Sequence, residues 1–249
     1  MTIRASQQKK MAMRTFNAAP RASMLIESMR DIGYSLETAM ADVVDNSITA
    51  RAATIQLFAD IGDSEVRIGI VDDGEGMTQQ ELLQAMRPGS RSPLEDRTPS
   101  DLGRFGLGLK IASFSQCRRL TVVTRHGGAT SAAIWDLEYV AEKDDWLVQI
   151  PDDVTTIPWV DHLGERGTLV VWERLDRLIE QASSESARTH CIRRIDEARE
   201  HLELVFHRFI SGEPGLKKIR ILLNDRPLEP FDPFHSDHPA TISGPIEQI

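Results

Sequence analysis

The sequence predicts an α+β fold, and two observations carry that prediction. Strand-like runs cluster at 54–60 and 66–72, and again at 119–125, 132–140, 145–150 and 167–174, with short turn-rich stretches between many of them. Around these runs lie segments in which apolar residues recur at helical spacing.

Residues 1–20 are polar and unpatterned and read as an extended arm. Met24, Leu25, Ile26 and Met29 predict a short first helix ended by Gly33, and Ser35 reads as the N-cap of a second helix through about Ile48. The strands TIQLFAD (54–60) and VRIGIVD (66–72) follow, joined by IGDSE. Thr78-Gln-Gln-Glu81 is a capping-box pattern opening a helix to about Met86. Residues 87–102 hold three prolines and mixed charge, which predicts a long mobile loop. GRFGLGLK then runs into a helix ending near Gln116, and strands dominate from 119 to 174. One long helix is expected over 186–211, with Ile192, Ile195, Leu202, Val205, Phe206, Phe209 and Ile210 as its apolar stripe. Residues 217–234 begin a further strand and turn, and the tail lacks a closing element, as expected of a chain cut inside a longer protein.

The chain is 249 residues long, enough to bury a core without staples. Its net charge of −9 argues against a surface devoted to nucleic-acid phosphates, which would be basic. Cys117 and Cys191 make no disulfide framework, no His/Cys/Asp/Glu cluster has zinc spacing, and no Ser-His-Asp arrangement stands out. The N-terminus lacks the apolar stretch of a secretory signal, and no run reaches the ~20 residues of a membrane span, so a cytoplasmic location is expected.

Three segments suggest chemistry. In the second helix Leu36, Met40, Val43, Val44 and Ser47 fall on one side, while Asp42, Asp45, Asn46 and Thr49 fall on the other. A solvated face would show the same alternation, but usually with Glu, Lys and Arg; short carboxylates and an amide suit a fixed site for a water and a hard cation. VDDGEGM (71–77) ends a strand: Asp72 is placed to accept from an exocyclic amine, Gly74 and Gly76 let backbone pass close to a planar ring, and Met77 offers a soft apolar wall. Gly103-Arg104-Phe105-Gly106-Leu107-Gly108, directly before a helix and followed by Lys110, offers free N–H groups and a helix dipole to phosphate oxygens. Both alternative phosphate motifs fail: the glycines do not follow the first strand of a parallel βαβ unit, and GxxxxGK[ST] is absent.

The ordered set DVVDNS, DDGEGM, a variable loop, GRFGLGLK and GT before a strand resembles the gyrase, heat-shock-chaperone, histidine-kinase and MutL ATPases, the GHKL or Bergerat-fold superfamily. The resemblance covers about Arg21 to Trp172, and VVDNS with FGLGLK is most similar to the Microrchidia (MORC) and MutL branch and its bacterial relatives. It implies a two-layer α/β sandwich whose mixed, mostly antiparallel sheet carries helices on one face. It implies an ATP-binding domain over 21–180, with 181–249 holding a long helix and the start of a transducer-like domain, which NDRPLEPFDPF resembles.

Residue by residue, the resemblance makes Asn46 the magnesium ligand and Asp72 the reader of the adenine amine. Gly74, Gly76 and Met77 become the turn beneath the base, Gly103 to Gly108 (with Arg104, Phe105, Gly106 and Leu107) the phosphate loop, Lys110 its lysine, and Thr168 the threonine behind the adenine. Asp42 matches the catalytic base, which is usually Glu in the family, and Thr49 stands where the branch often has Asp. Arg87, Arg91 and Arg97 read as loop arginines that reach phosphate, a partner subunit or only solvent. The implied function is ATP hydrolysis with Mg2+, driving an ATP-dependent homodimer switch. A nucleotide-binding module with little hydrolysis is the second reading. A histidine kinase is disfavoured, because no His precedes His126.

Overall fold

The computed structural model describes residues 15, 16, 18–31, 33–62, 65–89, 108–180, 186–236, 238–242 and 244. Among them seven strands form one open sheet in the order β4-β3-β5-β2-β1-β6-β7. They are β1 (Thr54–Ile61), β2 (Val66–Asp72), β3 (Arg119–His126), β4 (Ala129–Asp136), β5 (Gly167–Glu173), β6 (Arg220–Leu223) and β7 (Arg226–Pro227). Every pairing is antiparallel except β1 with β6, where Thr54–Leu57 run alongside Arg220–Leu223. The mixed, mostly antiparallel α+β sandwich is therefore as expected.

Strand alternation divides the sheet into two faces. Ile55, Leu57, Ile68, Ile70, Leu120, Val122, Val170 and Trp172 point into a large core with the helices. These include α1 (Ala22–Arg30), α2 (Leu36–Thr49), α4 (Gly108–Gln116) and α7 (Ala187–Val205). Phe58, Val71, Val123, Leu169 and Val171 point the other way, where Val154, Ile157, Trp159, Val160 and Leu163 cover them without a full helix. Trp159 lies flat on this face: a Cβ on Gly69 would sit 2.4 Å from its ring.

The local signals decide where the helices begin. Ser35 accepts from the Thr38 N–H at the start of α2. Thr78 and Glu81 form the reciprocal capping box of α3 (Gln79–Met86). Such caps satisfy backbone donors that have no partner inside the helix. In α1, Ile26 and Met29 are buried while Met24 and Leu25 are exposed.

The structure corrects three element boundaries. The run 132–140 is not one strand: β4 ends at Asp136, whose Oδ1 accepts from the Glu138 and Tyr139 N–H groups and starts α5 (Leu137–Lys143). Residues 145–150 contribute a single bridge, Ile134 to Gln149, because Trp146 and Val148 are used for packing rather than for a ladder. The long C-terminal helix breaks at Phe206 (φ −101°, ψ 11°) into α7 and α8 (His207–Ser211). Hydrogen bonds from Phe206 N to Leu202 O and Ile210 N to Phe206 O continue across it, so the break is a kink. Its buried stripe is Cys191, Ile195, Ala198, Leu202, Phe206 and Ile210, whereas Ile192 and Val205 are exposed.

The segment after 186 joins the same sheet through β6 and β7, and Arg194 of α7 bonds Glu37 of α2 at 2.9 Å. A short helix, α6 (Asp176–Glu180), supplies Asp176 to the buried Arg30 at 2.6 Å. Among the described residues no helix is long and apolar enough to cross a membrane.

Candidate functional site

The site is built where α2, the end of β2 and the start of β5 converge. Asp72 is the last residue of β2 and is buried, and each of its hydrogen-bond partners is a donor. Its Oδ1 accepts from the Gly74 N–H at 2.9 Å and the Thr168 N–H at 3.2 Å; its Oδ2 accepts from the Ser47 hydroxyl at 2.9 Å. Burial raises its pKa to about 6, while the Gly74, Ser47 and Thr168 hydrogen bonds pull the other way. A carboxylate this desolvated is costly unless something takes up its remaining acceptor capacity, which is what a purine amine would do.

The glycines next to Asp72 are required by space. A Cβ on Gly74 would lie 2.8 Å from the Ala50 carbonyl oxygen and from Asp72 Oδ1. Gly76 has φ +67°, and a Cβ there would come within 2.1 Å of the Arg125 carbonyl oxygen. The loop is held by Ala50 O accepting from Glu75 N (2.9 Å), by Asp73 Oδ1 accepting from Ala53 N (2.6 Å) and Thr54 N (2.9 Å), and by the Arg51–Glu75 ion pair at 3.0 Å. Met77 N donates to Thr124 Oγ1 at 2.8 Å, and that hydroxyl lies 3.1 Å from the Gly167 carbonyl and 3.4 Å from Thr168 Oγ1. Ser47, Thr124 and Gly167 thus join Thr168 in the site; Ser47 and Gly167 stand inside the DVVDNS and GT segments with no role assigned to them there, and Thr124 carries no local signal. Their signal is tertiary: β2, β5 and β3 pair so that Asp72, Thr168 and Thr124 lie in one row across the sheet.

The Ser47 hydroxyl ties α2 to Asp72, and the polar side of the helix lies next to it. Leu36, Met40, Val43, Val44 and Ser47 are buried as expected, Asp42 and Asp45 are half-buried, and Asn46 and Thr49 are exposed. Asn46 Nδ2 donates to the Asp42 carbonyl at 2.7 Å, which leaves Oδ1 as the amide atom available to a cation. Asp42 Oδ2 lies 3.8 Å from the point a Gly108 Cβ would occupy, so this carboxylate and the first residue of α4 adjoin. Burial raises the Asp42 pKa, with a Tyr34 hydroxyl hydrogen bond opposing; Asp45 is pushed up to about 6 by burial and then by the Asp42 charge. Tyr34 was not singled out by the sequence, since nothing local marks a tyrosine before an N-cap as a partner of a residue two turns on.

Lys110 is buried, and its Nζ donates to the Ala85 carbonyl at 2.6 Å, near the end of α3. Desolvation lowers its pKa to about 8. Arg87 is exposed at the end of α3. Gly103, Arg104, Phe105, Gly106 and Leu107, with Arg91 and Arg97, lie outside the described residues. Among the described residues no three His, Cys, Asp or Glu side chains group as a metal cage.

Comparison with known proteins agrees with this geometry. The family described as "Histidine kinase-, DNA gyrase B-, and HSP90-like ATPase" matches residues 34–166, more than half of the chain. Similar curated proteins are DNA mismatch repair proteins MutL. That of Bradyrhizobium diazoefficiens is 37% identical over 36% of this chain and 15% of its own length. That of a Bradyrhizobium sp. is 27% identical over 70% of this chain and 29% of its own length. That of Halobacterium salinarum is 36% identical over 37% of this chain and 15% of its own. The chain therefore spans less than a third of these relatives. The chain belongs to the histidine kinase-, DNA gyrase B- and HSP90-like ATPase family, near its MutL-like branch, and is an ATP-binding domain of that kind.

Proposed function

We propose that this domain binds ATP with Mg2+ and hydrolyses it slowly, as an ATP-dependent homodimer switch in a larger protein. The observation that carries the reading is Asp72, a buried carboxylate held by three donors beside the Gly74–Gly76 turn. A neutral hydrogen-bonding ligand group satisfies it without bringing in charge, and the adenine amine is such a group. Met77 and the Gly74–Gly76 turn then border the ring, and Thr168 and Thr124 close its inner edge.

Phosphoryl transfer to water depends on positioning and charge neutralisation more than on covalent chemistry. Asn46 Oδ1 would hold the cation; Mg2+ generally takes few protein ligands, so a single amide oxygen would suit it. When bound, the ion neutralises charge on the phosphates. The N–H groups at the start of α4 receive phosphate oxygens, the glycine motif at 103–107 keeps the phosphate-loop role that its sequence implies, and Lys110 adds a cation. Asp42 orients a water and accepts its proton, and burial helps by raising its proton affinity. In this reading 21–180 hold the nucleotide, and 181–249, which the sequence likens to the opening of a transducer region, pass the change on. Contacts with nucleic acid or client proteins belong to regions outside this chain, whose setting we take to be cytoplasmic.

The test is turnover of Mg-ATP by the wild-type chain and by Asp42→Asn. Retained binding of a non-hydrolysable analogue with turnover abolished supports the proposal; equal turnover in the two removes Asp42 as the base. A second reading, binding with little hydrolysis, is favoured by Asp42 itself: it is one methylene shorter than the usual Glu. Size exclusion with the analogue, on a chain extended past Ile249, tests the switch; a monomer at every nucleotide concentration contradicts it.

A further inference from the structure

Next to Asp72 the sheet carries two hydroxyls whose protons are placed by their contacts. Thr168 on β5 is the register partner of Asp72 on β2 and, on its other side, of Thr124 on β3. Two residues away on each strand, Ile70, Val170 and Val122 point into the core with the helices, so the three polar side chains rise from that same face. Thr124 is fully buried. Its Oγ1 accepts from the Met77 N–H at 2.8 Å and donates to the Gly167 carbonyl at 3.1 Å. A hydroxyl has one proton, and a carbonyl can only accept. The Thr124 proton is therefore committed to Gly167, and across the 3.4 Å contact between the two hydroxyls Thr168 is the donor. Among the described residues no other acceptor takes the Thr168 proton. Thr168 thus turns its proton inward and presents only lone pairs on its other side, while its N–H holds Asp72 Oδ1 at 3.2 Å.

We propose that Thr124 is a positioning residue that sets purine specificity: by drawing the Thr168 proton inward it makes Thr168 an acceptor beside Asp72, so that the two together take an exocyclic amine and turn away a carbonyl oxygen. The inference rests on reading Asp72 as the adenine contact, and it concerns a residue that acts through Thr168. Without the Thr124 oxygen the Thr168 hydroxyl is free to rotate, and it donates to a carbonyl as readily as it accepts from an amine. The burial of Thr124 strengthens the effect, because no water replaces its oxygen as the acceptor.

The experiment measures equilibrium binding of non-hydrolysable adenine and hypoxanthine triphosphate analogues, with Mg2+, to the full chain and to Thr124→Val, Thr124→Ser, Thr168→Val and the double valine variant. Valine keeps the shape of threonine and removes the oxygen, whereas serine keeps the hydroxyl. The readout is the ratio of the two affinities, which a general loosening of the fold, weakening both analogues alike, leaves unmoved. The proposal expects Thr124→Val to cut the wild-type preference for adenine by about ten-fold and Thr124→Ser to keep it. It also expects the double variant to match Thr168→Val alone. A wild-type ratio in Thr124→Val overturns the proposal and leaves the adenine reading standing, and so does a loss that serine fails to restore. Should Thr124→Val not fold, Thr168→Val decides: a reduced ratio supports the proposal, and an unchanged one overturns it. Equal affinity of the wild-type chain for the two analogues removes the adenine reading itself, and the role of Thr124 goes with it.

Discussion

Replacing Asp72 with Asn separates what stabilises the domain from what binds its ligand. Burial raises the Asp72 pKa from 3.8 to about 6, so the ionised form is disfavoured in the folded state. The sign follows from linkage: a carboxyl with a raised folded pKa contributes stability that is fully present below 3.8 and is lost as pH rises through about 6. About two units at 1.36 kcal/mol each give a cost of about 3 kcal/mol at pH 7.5. Asn removes that charge and keeps its surroundings satisfied. Its carbonyl oxygen still accepts from Gly74 and Thr168, and its amide donates to Ser47 Oγ, whose own proton then goes to the Val43 carbonyl 3.3 Å away. Urea unfolding of the nucleotide-free chain at pH 7.5 should show Asp72→Asn more stable by roughly 2–3 kcal/mol, and thermal unfolding should show a melting midpoint higher by roughly 4–12 °C for a domain this size. The same variant should lose analogue binding by at least about ten-fold, because Asn presents a donor toward the adenine amine. An Asn variant less stable than wild type at pH 7.5 would refute the argument that the carboxylate is held at a cost.

Further outcomes follow from other contacts. Gly76→Ala and Gly167→Ala should each cost more than about 3 kcal/mol in urea unfolding, since their Cβ atoms would meet the Arg125 and Asp72 carbonyl oxygens at 2.1 and 1.9 Å; Gly127→Ala, at φ +58° with open space, should cost about 1 kcal/mol. Arg30→Ala should destabilise the chain by about 1–3 kcal/mol, because it leaves the Cys117 carbonyl without its buried donor and Asp176 with Arg118 as its remaining partner. Lys110 has a lowered folded pKa, so its contribution is present above 10.5 and lost as pH falls through about 8. Lys110→Met should therefore flatten the stability difference between pH 7 and 9 by about 1 kcal/mol in parallel unfolding curves. Chelation of Mg2+ should abolish turnover while Asp42→Asn leaves analogue binding within about two-fold of wild type.

Local chemistry made much of this fold readable. Ser35, the Thr78–Glu81 box and the strand-like runs of β1, β2, β3 and β5 are short-range signals, and each element formed where its signal lay. Asp136 shows the limit: an apolar run that reads as strand is turned into a helix by one side chain accepting two N–H groups. The kink at Phe206 also leaves no sequence mark, because the hydrogen-bonded pattern continues through it. In the site, Asp72, Gly74 and Gly76 were legible as a strand-ending turn and Asp42 and Asn46 as a polar helix face. Ser47, Thr124 and Tyr34 were not. Ser47 looks like a core residue by position, and only the packing of α2 over the sheet brings its hydroxyl to Asp72. Lys110 reads as a phosphate ligand by spacing, yet its side chain runs back to the Ala85 carbonyl, a direction that spacing does not encode.

The central claim is that the buried Asp72 reads a purine amine beside the Gly74–Gly76 turn. The most direct measurement is equilibrium binding of two non-hydrolysable triphosphate analogues to the wild-type chain with Mg2+, one carrying adenine and the other hypoxanthine. Hypoxanthine replaces the amine by a carbonyl oxygen, which the ionised Asp72 would face as an unpaired acceptor. The account predicts binding of the adenine analogue and a loss of roughly a hundred-fold or more for the hypoxanthine one. Equal affinity for the two would contradict it.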